Sequence, residues 1–313
     1  MKLKMLGTAA LLCSSITLAH AQAPNGVSAT ANADTPPTGI TAARTRGIIY
    51  HGGPVLGTVT GHPVHLYFIY YGQWATKDPG GPAIMTDFGA NLGGSPYWNI
   101  LTTYKEPTTG TTIQNAMTLA GTYTDTGSQG SNLTDTTLQT VVKSAIAGGH
   151  LPLDPNAVYH VLASPEVNET SGFCSSYCGF HNHMTVGSWN IKYTFVGDPV
   201  HCTAQGGVAD CQGEASNVSQ SPNNDPGVDA MISVIAHESE EAVSDPSLNA
   251  WYFANGEENG DKCAYTYGSV FQVGNGSVAN VTLGGRNFLI QQNWIGPGNP
   301  SGAAGEKCAL RYP

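Results

Sequence analysis

The sequence predicts an α+β fold: one domain with a mixed β-sheet, packed helices, a late helix and loops stapled by disulfides. Strand-like and helix-like segments follow one another, and the best-defined helix comes only after residue 224. Such an order is typical of a sheet covered by helices in layers. Six of the seven cysteines lie after residue 170, which indicates disulfides in the later loops.

The chain begins with the three-part pattern of a secretory signal peptide. Lys2 and Lys4 precede an apolar run at 5–18, and Ala19-His20-Ala21 fits a cleavage site. We therefore expect residues 1–21 to be removed and the protein to be secreted, with an extracellular location. Residues 22–46 are rich in Ala, Thr, Asn and Pro and predict a disordered arm. One domain over 47–313 follows it.

Charge and hydropathy exclude several classes of partner. Without Lys2 and Lys4 the chain has 10 basic and 22 acidic residues, a net charge of −12. Such a surface disfavours nucleic acid and anionic lipid. No later segment is long and apolar enough to predict a membrane span. We expect a monomer whose partner is a peptide or protein substrate, or a cell-wall component.

The elements of the domain are predicted in order from composition and spacing. Strands are expected where β-branched and aromatic residues dominate, and helices where apolar residues recur every three or four positions. Strands are predicted at 64–71, 112–123, 158–163 and 191–196, and helices at 82–104, with a break at 93–96, and at 135–147. The Cys/His-rich segment before residue 191 and the segment 198–224 are predicted to be loops.

An even number of cysteines in an exported chain predicts disulfides. Proximity in the sequence favours three pairs: Cys174–Cys178, Cys202–Cys211 and Cys263–Cys308. The alternative is a zinc site that also uses His181 and His183, which an oxidising compartment disfavours. Both histidines lie beside Cys174 and Cys178 and could approach the metal site of the late helix, but they are interpreted as ordinary loop residues.

The late helix has clear signals at both ends. Asp225 can cap its first turn, and Pro226 suits its first position. Apolar residues continue to Val243, and Pro246 disfavours helix at the residue before it. We therefore predict a helix that enters the core and ends near Asp245.

That helix contains an HExxE motif, His237-Glu238-Ser239-Glu240-Glu241. His237 and Glu241 are one turn apart on one face, so both can bind one divalent metal ion. Glu238 is rotated around the helix axis away from that pair, so it can lie beside a water molecule bound to the ion. This is the logic of HExxH zinc peptidases. His237 and Glu241 are therefore predicted metal ligands, and Glu238 is the predicted catalytic base.

Two carboxylates are candidates for the third ligand. Glu258 is the first choice, because it follows the motif helix within an acidic segment at 257–261. Asp245 is the second, and it requires the chain to curl at Pro246. One imidazole with two carboxylates predicts one divalent ion, Zn²⁺, with Mn²⁺ or Ca²⁺ as alternatives.

Several short stretches, in the same order, resemble the EXORDIUM, or phosphate-induced protein, family. They include Tyr50-His51-Gly52-Gly53-Pro54, Tyr70-Tyr71-Gly72-Gln73-Trp74, Cys178-Gly179-Phe180-His181 and Phe195-Val196-Gly197. The resemblance covers about residues 48–313 and implies an extracellular, often cell-wall-associated protein. It implies no particular biochemical activity.

The HExxE motif followed by Asp245-Pro246 resembles a microbial branch of that family, which looks like a zincin-type metallopeptidase scaffold. Plant members have other residues at the motif positions. Two functions therefore remain open. The motif favours a secreted metal-dependent hydrolase, most readily a peptidase. The plant relatives favour a non-catalytic extracellular or cell-wall-associated binding protein.

Overall fold

The computed structural model of the protein describes residues 47–202, 211 and 221–313. The predicted signal peptide, the predicted arm and most of the predicted loop at 198–224 lie outside the described residues. Within those ranges the fold combines a central sheet with helices, so the α+β prediction is confirmed. None of the helices in the described ranges is long and apolar enough to cross a bilayer.

The central sheet has five strands: β1 (Val64–Tyr71), β2 (Met117–Asp125), β3 (Ala157–Ala163), β4 (Gly179–Val186) and β5 (Trp189–Gly197). Their order in space is β2-β1-β3-β5-β4. Strands β2, β1, β3 and β5 are parallel, and the edge strand β4 is antiparallel to β5. Every residue of β3 is buried, as expected for a parallel strand that is covered on both faces.

Three long helices pack around this sheet: α1 (Gly81–Leu92), α2 (Asp135–Ala147) and α3 (Pro226–Ser244). On β5, Tyr193 donates a hydrogen bond to Asp135 of α2. The next residue, Thr194, is hydrogen-bonded to His160 of β3, whose other ring nitrogen lies 3.3 Å from Ser239 of α3. Successive side chains of a strand point to opposite faces. Helices α2 and α3 therefore cover opposite faces of the sheet.

Shorter elements complete the described part of the chain. They are the helix Trp74–Lys77, the 3₁₀ turns Trp98–Thr103, Pro199–His201, Asp261–Cys263 and Gly302–Gly305, and the short strands Ile49–Tyr50, Lys105–Glu106, Thr111–Thr112, Asn132–Leu133, Asn168–Glu169, Trp251–Tyr252, Phe271–Gln272, Val278–Ala279, Val281–Leu283, Arg286–Phe288, Asn293–Ile295 and Lys307–Ala309. The predicted break at 93–96 separates α1 from the first of these 3₁₀ turns.

The predicted ends of α3 are confirmed. The side chain of Asp225 accepts a hydrogen bond of 3.2 Å from the backbone N–H of Val228, and Pro226 is the first helical residue. All residues from Gly227 to Ser244 are buried. The polar residues of the motif are therefore enclosed together with the apolar ones, which places charged groups inside the protein.

The loop prediction for the Cys/His-rich segment is wrong in part, because β4 occupies its second half. The register pairs Gly179 with Val196, so the residues before β4 meet the residues after β5. The disulfides follow this neighbourhood: they are Cys174–Cys202, Cys178–Cys211 and Cys263–Cys308. The pairings Cys174–Cys178 and Cys202–Cys211 are therefore wrong, whereas the third is confirmed. These bonds also exclude the alternative zinc site built on Cys174 and Cys178.

The disulfide Cys263–Cys308 closes the longest of the three loops, with a sequence separation of 45 residues. Replacing both cysteines by Ala is expected to lower the free energy of unfolding by about 4 kcal/mol, because the unfolded chain regains the entropy of that loop. Urea unfolding of the variant checks the value.

Thiol titration of the denatured wild-type protein is expected to find no free thiol at these six cysteines, and two or more would contradict the pairing.

The start of α3 predicts a pH dependence of stability. Burial raises the pKa of Asp225 to about 7, and the nearby carboxylate of Asp78 adds to the shift. Burial likewise raises the pKa of Asp198 to about 6. The folded state therefore holds protons that the unfolded state has released between about pH 4 and pH 7. This contribution to stability is complete in acid and is lost as the pH rises through 7.

Asp225→Asn is expected to remove part of that dependence, because Asn caps helices as well as Asp does and carries no charge. The variant should be more stable than the wild type at pH 8 and similar to it at pH 4. Urea unfolding midpoints at pH 4, 6 and 8 measure the difference. A stability difference that is the same at all three values would contradict the prediction.

Candidate metal centre

Helix α3 brings His237, Glu238 and Glu241 together inside the protein. Their exposed fractions are 5%, 2% and 0%. Nε2 of His237 lies 2.9 Å from Oε1 of Glu241, as expected for side chains one turn apart. One possible ligand atom from each of the three residues lies within 4.8 Å of those of the other two. The side chains that the motif predicted to act together are therefore adjacent.

The other ring nitrogen of His237 has its own partner. The side-chain amide of Gln291 is hydrogen-bonded to Nδ1 of His237. The backbone N–H of Gln291 donates to Ser233 Oγ at 3.1 Å, so α3 itself positions this residue. The amide nitrogen of Gln291 faces the ring in this structure, and a half-turn of the amide about its Cγ–Cδ bond would let its oxygen accept the Nδ1 proton and leave Nε2 available for a cation. Gln291 was not among the residues that the sequence motifs indicated.

Strand β4 adds a second histidine, His181, which is fully buried. Nε2 of His181 lies 2.9 Å from Oε2 of Glu258 and 3.9 Å from Oε2 of Glu241. The interpretation of His181 and His183 as loop residues is wrong, because both lie on this strand. The apolar residues Phe180, Met184 and Val186 all occupy even positions, and that alternation was the signal for a strand.

The segment after α3 supplies two more carboxylates. The backbone N–H of Asp261 donates to Oε1 of Glu241 at 3.0 Å, and that of Glu258 donates to Oδ2 of Asp261 at 2.9 Å. The other carboxylate oxygen of Asp261, Oδ1, lies 3.5 Å from Nε2 of His237. The disulfide at Cys263 ties this segment to the C-terminal strand. Glu258, the first choice for a third ligand, is thus beside Glu241, and Asp261 joins it.

Asp245, the second choice for the third ligand, is the residue that directly follows α3. Its Oδ1 accepts hydrogen bonds of 2.6 Å from the backbone N–H groups of Asn249 and Ala250. Within the described ranges, neither group of possible ligand atoms around Glu241 includes Asp245. The structure therefore places it next to the cluster, with one oxygen already occupied by the backbone.

Several buried polar atoms of this cluster have no hydrogen-bond partner. They are Nδ1 of His181, Oε2 of Glu238, both carboxylate oxygens of Glu240, Oε2 of Glu241, Oε1 of Glu258 and Oδ1 of Asp261. Asp229, another buried carboxylate of the same helix, accepts hydrogen bonds from Ser221 and from Asn223. Buried carboxylates are normally satisfied as Asp229 is. The unpaired oxygens fit a bound cation, because a cation is the partner that this donor set lacks.

The pKa values of the cluster also indicate that it has too little positive charge for its buried carboxylates. Burial raises the pKa of Glu238 to about 8 and that of Asp261 to about 7, and it raises the pKa of Glu258 well above its usual range. Burial lowers the pKa of His237, but Glu241 and its other acidic neighbours raise it further, so the net shift is well upward. Without a metal these groups share protons, and a divalent cation can replace those protons.

Glycine at position 179 allows Glu238 to lie against the edge strand. A Cβ atom on Gly179 would come within 2.5 Å of Val234 Cγ1, 2.8 Å of the backbone oxygen of Phe195 and 3.2 Å of Glu238 Oε1. The first two distances are too short for real atoms. Any larger residue at position 179 would therefore push α3 away from the sheet at the level of Glu238.

The fold and this cluster define a disulfide-bonded α+β protein with a buried centre of histidines and carboxylates. The chain belongs to the phosphate-induced protein 1, or EXORDIUM, family. The family profile described as "Phosphate-induced protein 1 conserved region" matches residues 48–292. The resemblance noted in the sequence is thereby confirmed.

Two plant relatives are similar to most of the chain. Protein EXORDIUM-like 5 of Arabidopsis thaliana is 32% identical over 277 residues, which covers 78% of this chain and 74% of that protein. Protein EXORDIUM-like 3 of the same plant is 30% identical over 277 residues, covering 78% of this chain and 79% of that protein. No solved structure matches the chain. The zincin-like part of the fold prediction therefore has no support from solved structures.

Proposed function

We propose that the protein is an extracellular metal-dependent hydrolase that cleaves peptide bonds with the HExxE motif of α3. The main support is the set of buried, unpaired carboxylate oxygens around Nε2 of His237. Family membership and the three disulfides are consistent with an extracellular location. The further proposals that the chain belongs to a microbial HExxE branch and has a zincin-type scaffold rest on the motif alone.

The proposed ligands are His237, Glu241 and a carboxylate of the 258–261 segment. Both Glu258 and Asp261 have one oxygen without a partner. Oδ1 of Asp261 lies 3.5 Å from Nε2 of His237, whereas the group of possible ligands that contains Glu258 does not contain His237. A set of one imidazole and two carboxylates is compatible with Zn²⁺, and its hard oxygen ligands also suit Mn²⁺ or Ca²⁺. Asp245 stays a reserve candidate, because only its Oδ1 is known to accept the backbone N–H groups.

In the proposed reaction, Glu238 does the proton transfer. A divalent ion at this position supplies Lewis-acid polarisation of a carbonyl and acidifies water. Oε2 of Glu238 has no protein partner, so it is free to take a proton from the attacking water and to pass it to the leaving amine. Gln291 keeps the ring of His237 oriented throughout, because it is fixed to α3 by Ser233.

A second candidate function is favoured by how deeply the cluster is buried. His237, the most exposed of the three motif side chains, is only 5% exposed. Catalytic metal sites keep an open coordination position for water and substrate, whereas structural sites are closed. If the centre stays this closed in solution, the metal stabilises a non-catalytic extracellular or cell-wall-associated binding protein.

Metal analysis of the purified protein tests the proposal. The wild type is expected to retain at least one divalent ion after gel filtration. His237→Ala and Glu241→Ala should lose the ion from the motif site, whereas Glu238→Gln should keep it, because only the first two side chains are proposed ligands. The metal content of each variant, measured by mass spectrometry, distinguishes these outcomes.

Asp229→Asn is the matched control for these variants. It changes a buried carboxylate of the same helix whose oxygens are already hydrogen-bonded, so metal content should not change. A His237→Ala variant that is folded and has the metal content of the wild type would overturn the proposed site. Activity is tested separately, with Glu238→Gln.

A further inference from the structure

Glu241 lies between two separate groups of possible metal ligands. One group joins it to His237 and Glu238, and the other joins it to His181 and Glu258. The two oxygens of Glu241 divide between the groups. Oε1 lies 2.9 Å from Nε2 of His237, and Oε2 lies 3.9 Å from Nε2 of His181. A carboxylate in this position has the geometry of a bridge.

The two histidines belong to different groups of possible metal ligands. Ligand atoms on one metal ion, at bonds of about 2.1 Å, lie at most about 4.2 Å from each other. In the described part of the chain, no group with all ligand atoms within 4.8 Å of one another contains both His181 and His237. A single ion bound at the motif would therefore leave His181 and Glu258 without a cation.

The His181 side has its own signs of a missing partner. His181 is fully buried and Glu258 is 3% exposed. Oε1 of Glu258 and Oε2 of Glu241 have no hydrogen-bond partner. These two oxygens belong to two separate elements, the 258–261 segment and α3, and they lie beside His181 of β4, whose Nε2 is already hydrogen-bonded to Oε2 of Glu258, so their convergence does not follow from the sequence spacing of one helix. Structural convergence of buried unpaired ligand atoms indicates a second cation at this point.

The charge of the cluster also matches two divalent ions. When ionised, Glu238, Glu241, Glu258 and Asp261 have four negative charges together, and two neutral imidazoles add none. Glu240 is not counted, because it belongs to neither group of possible ligands. One divalent ion leaves two of those charges uncompensated in a buried environment, which is costly. Two divalent ions compensate all four.

We propose that the protein has a two-cation centre in which Glu241 bridges the ions. His237 is on one side, together with Asp261, whose Oδ1 lies 3.5 Å from Nε2 of His237, and His181 and Glu258 are on the other. Ions that share a carboxylate in this way lie about 3.5–4 Å apart. The proposal rests on the metal binding of the proposed function and adds to it a second divalent ion, a wider ligand set and a place for His181.

The test is the metal stoichiometry after the chelator-treated protein is loaded with Mn²⁺ and freed from excess ion. The wild type is expected to bind two Mn²⁺ per chain, and each of His181→Ala and His237→Ala is expected to bind one. Glu258→Gln, which keeps the size of the side chain, is expected to bind one as well. Electron paramagnetic resonance is expected to show magnetic coupling between the ions in the wild type and its loss in all three variants.

His160→Ala is the control. His160 is a fully buried histidine on the neighbouring strand β3, and its nitrogens are near Thr194 and Ser239. This variant should bind two ions if it folds, which circular dichroism checks for every protein in the series.

A wild type with one ion, unchanged by Glu258→Gln, would overturn the second site and leave the proposed motif site intact. A wild type without any ion would overturn both. Two ions without magnetic coupling would overturn the bridge.

Discussion

Glu238→Gln is expected to reduce peptide hydrolysis by about 10²- to 10⁴-fold, because it removes the group that accepts the proton from water. The amide has nearly the same size and leaves His237 and Glu241 in place, so metal content and fold should not change. The measurement is kcat/KM on a fluorogenic peptide library, with metal content determined on the same samples. A variant as active as the wild type would show that the chemistry lies elsewhere.

Asp229→Asn is the matched control for this loss of activity. It also neutralises a buried carboxylate of α3, but one whose oxygens are satisfied by Ser221 and Asn223. It should keep the activity of the wild type if it folds. A fully metal-loaded wild type that cleaves no peptide in the library would favour the non-catalytic binding protein, in which the metal has a structural role.

Removing the metal is expected to cause the second large effect, a loss of stability. A ligand present at 1,000 times its dissociation constant stabilises the folded state by about 4 kcal/mol. For a domain of this size, that corresponds to a fall in Tm of about 10 °C when a chelator removes the ion. The physical reason is the repulsion of buried carboxylates, of which Glu238, Glu241 and Glu258 are each at most 3% exposed.

Thermal unfolding with and without chelator measures this effect. The His237→Ala variant should respond less to the chelator than the wild type, because it has already lost a ligand. If chelator leaves the Tm of the wild type unchanged while metal analysis shows that the ion has gone, the ion contributes nothing to stability. The buried charges would then have to be neutralised by protons.

The late helix was predictable because its signals are local. The cap at Asp225, the proline at 226 and the proline at 246 all act within one turn of the helix end, and the structure places α3 from Pro226 to Ser244. The adjacency of His237 and Glu241 follows from helix geometry alone. No tertiary information was needed for this part of the site.

The contribution of His181 was not predictable in the same way. Its strand β4 has polar residues at half of its positions and follows two cysteines, so it was interpreted as a loop. Its strand character depends on pairing with β5, which is a tertiary contact. The same pairing explains why Cys174 and Cys178 bond to cysteines after β5 and not to each other.

The choice between Glu258 and Asp245 also depended on tertiary structure. Both are acidic and follow the motif, and spacing alone could not separate them. In the structure, Asp245 accepts hydrogen bonds from the backbone N–H groups of residues 249 and 250, whereas Glu258 lies next to His181. Asp261 entered the cluster because the backbone of its segment is hydrogen-bonded to Glu241.

The bond between Cys263 and Cys308 has a consequence for the order of maturation. Asp261 and Glu258 lie two and five positions before Cys263, so oxidation of this cysteine adds a covalent tether to an acidic segment that a hydrogen bond from Asp261 to Glu241 also holds next to α3. In a chain whose thiols stay reduced, the same side chains lie on a segment that the disulfide does not hold in place. Capture of the metal is therefore expected to follow oxidation of the thiols.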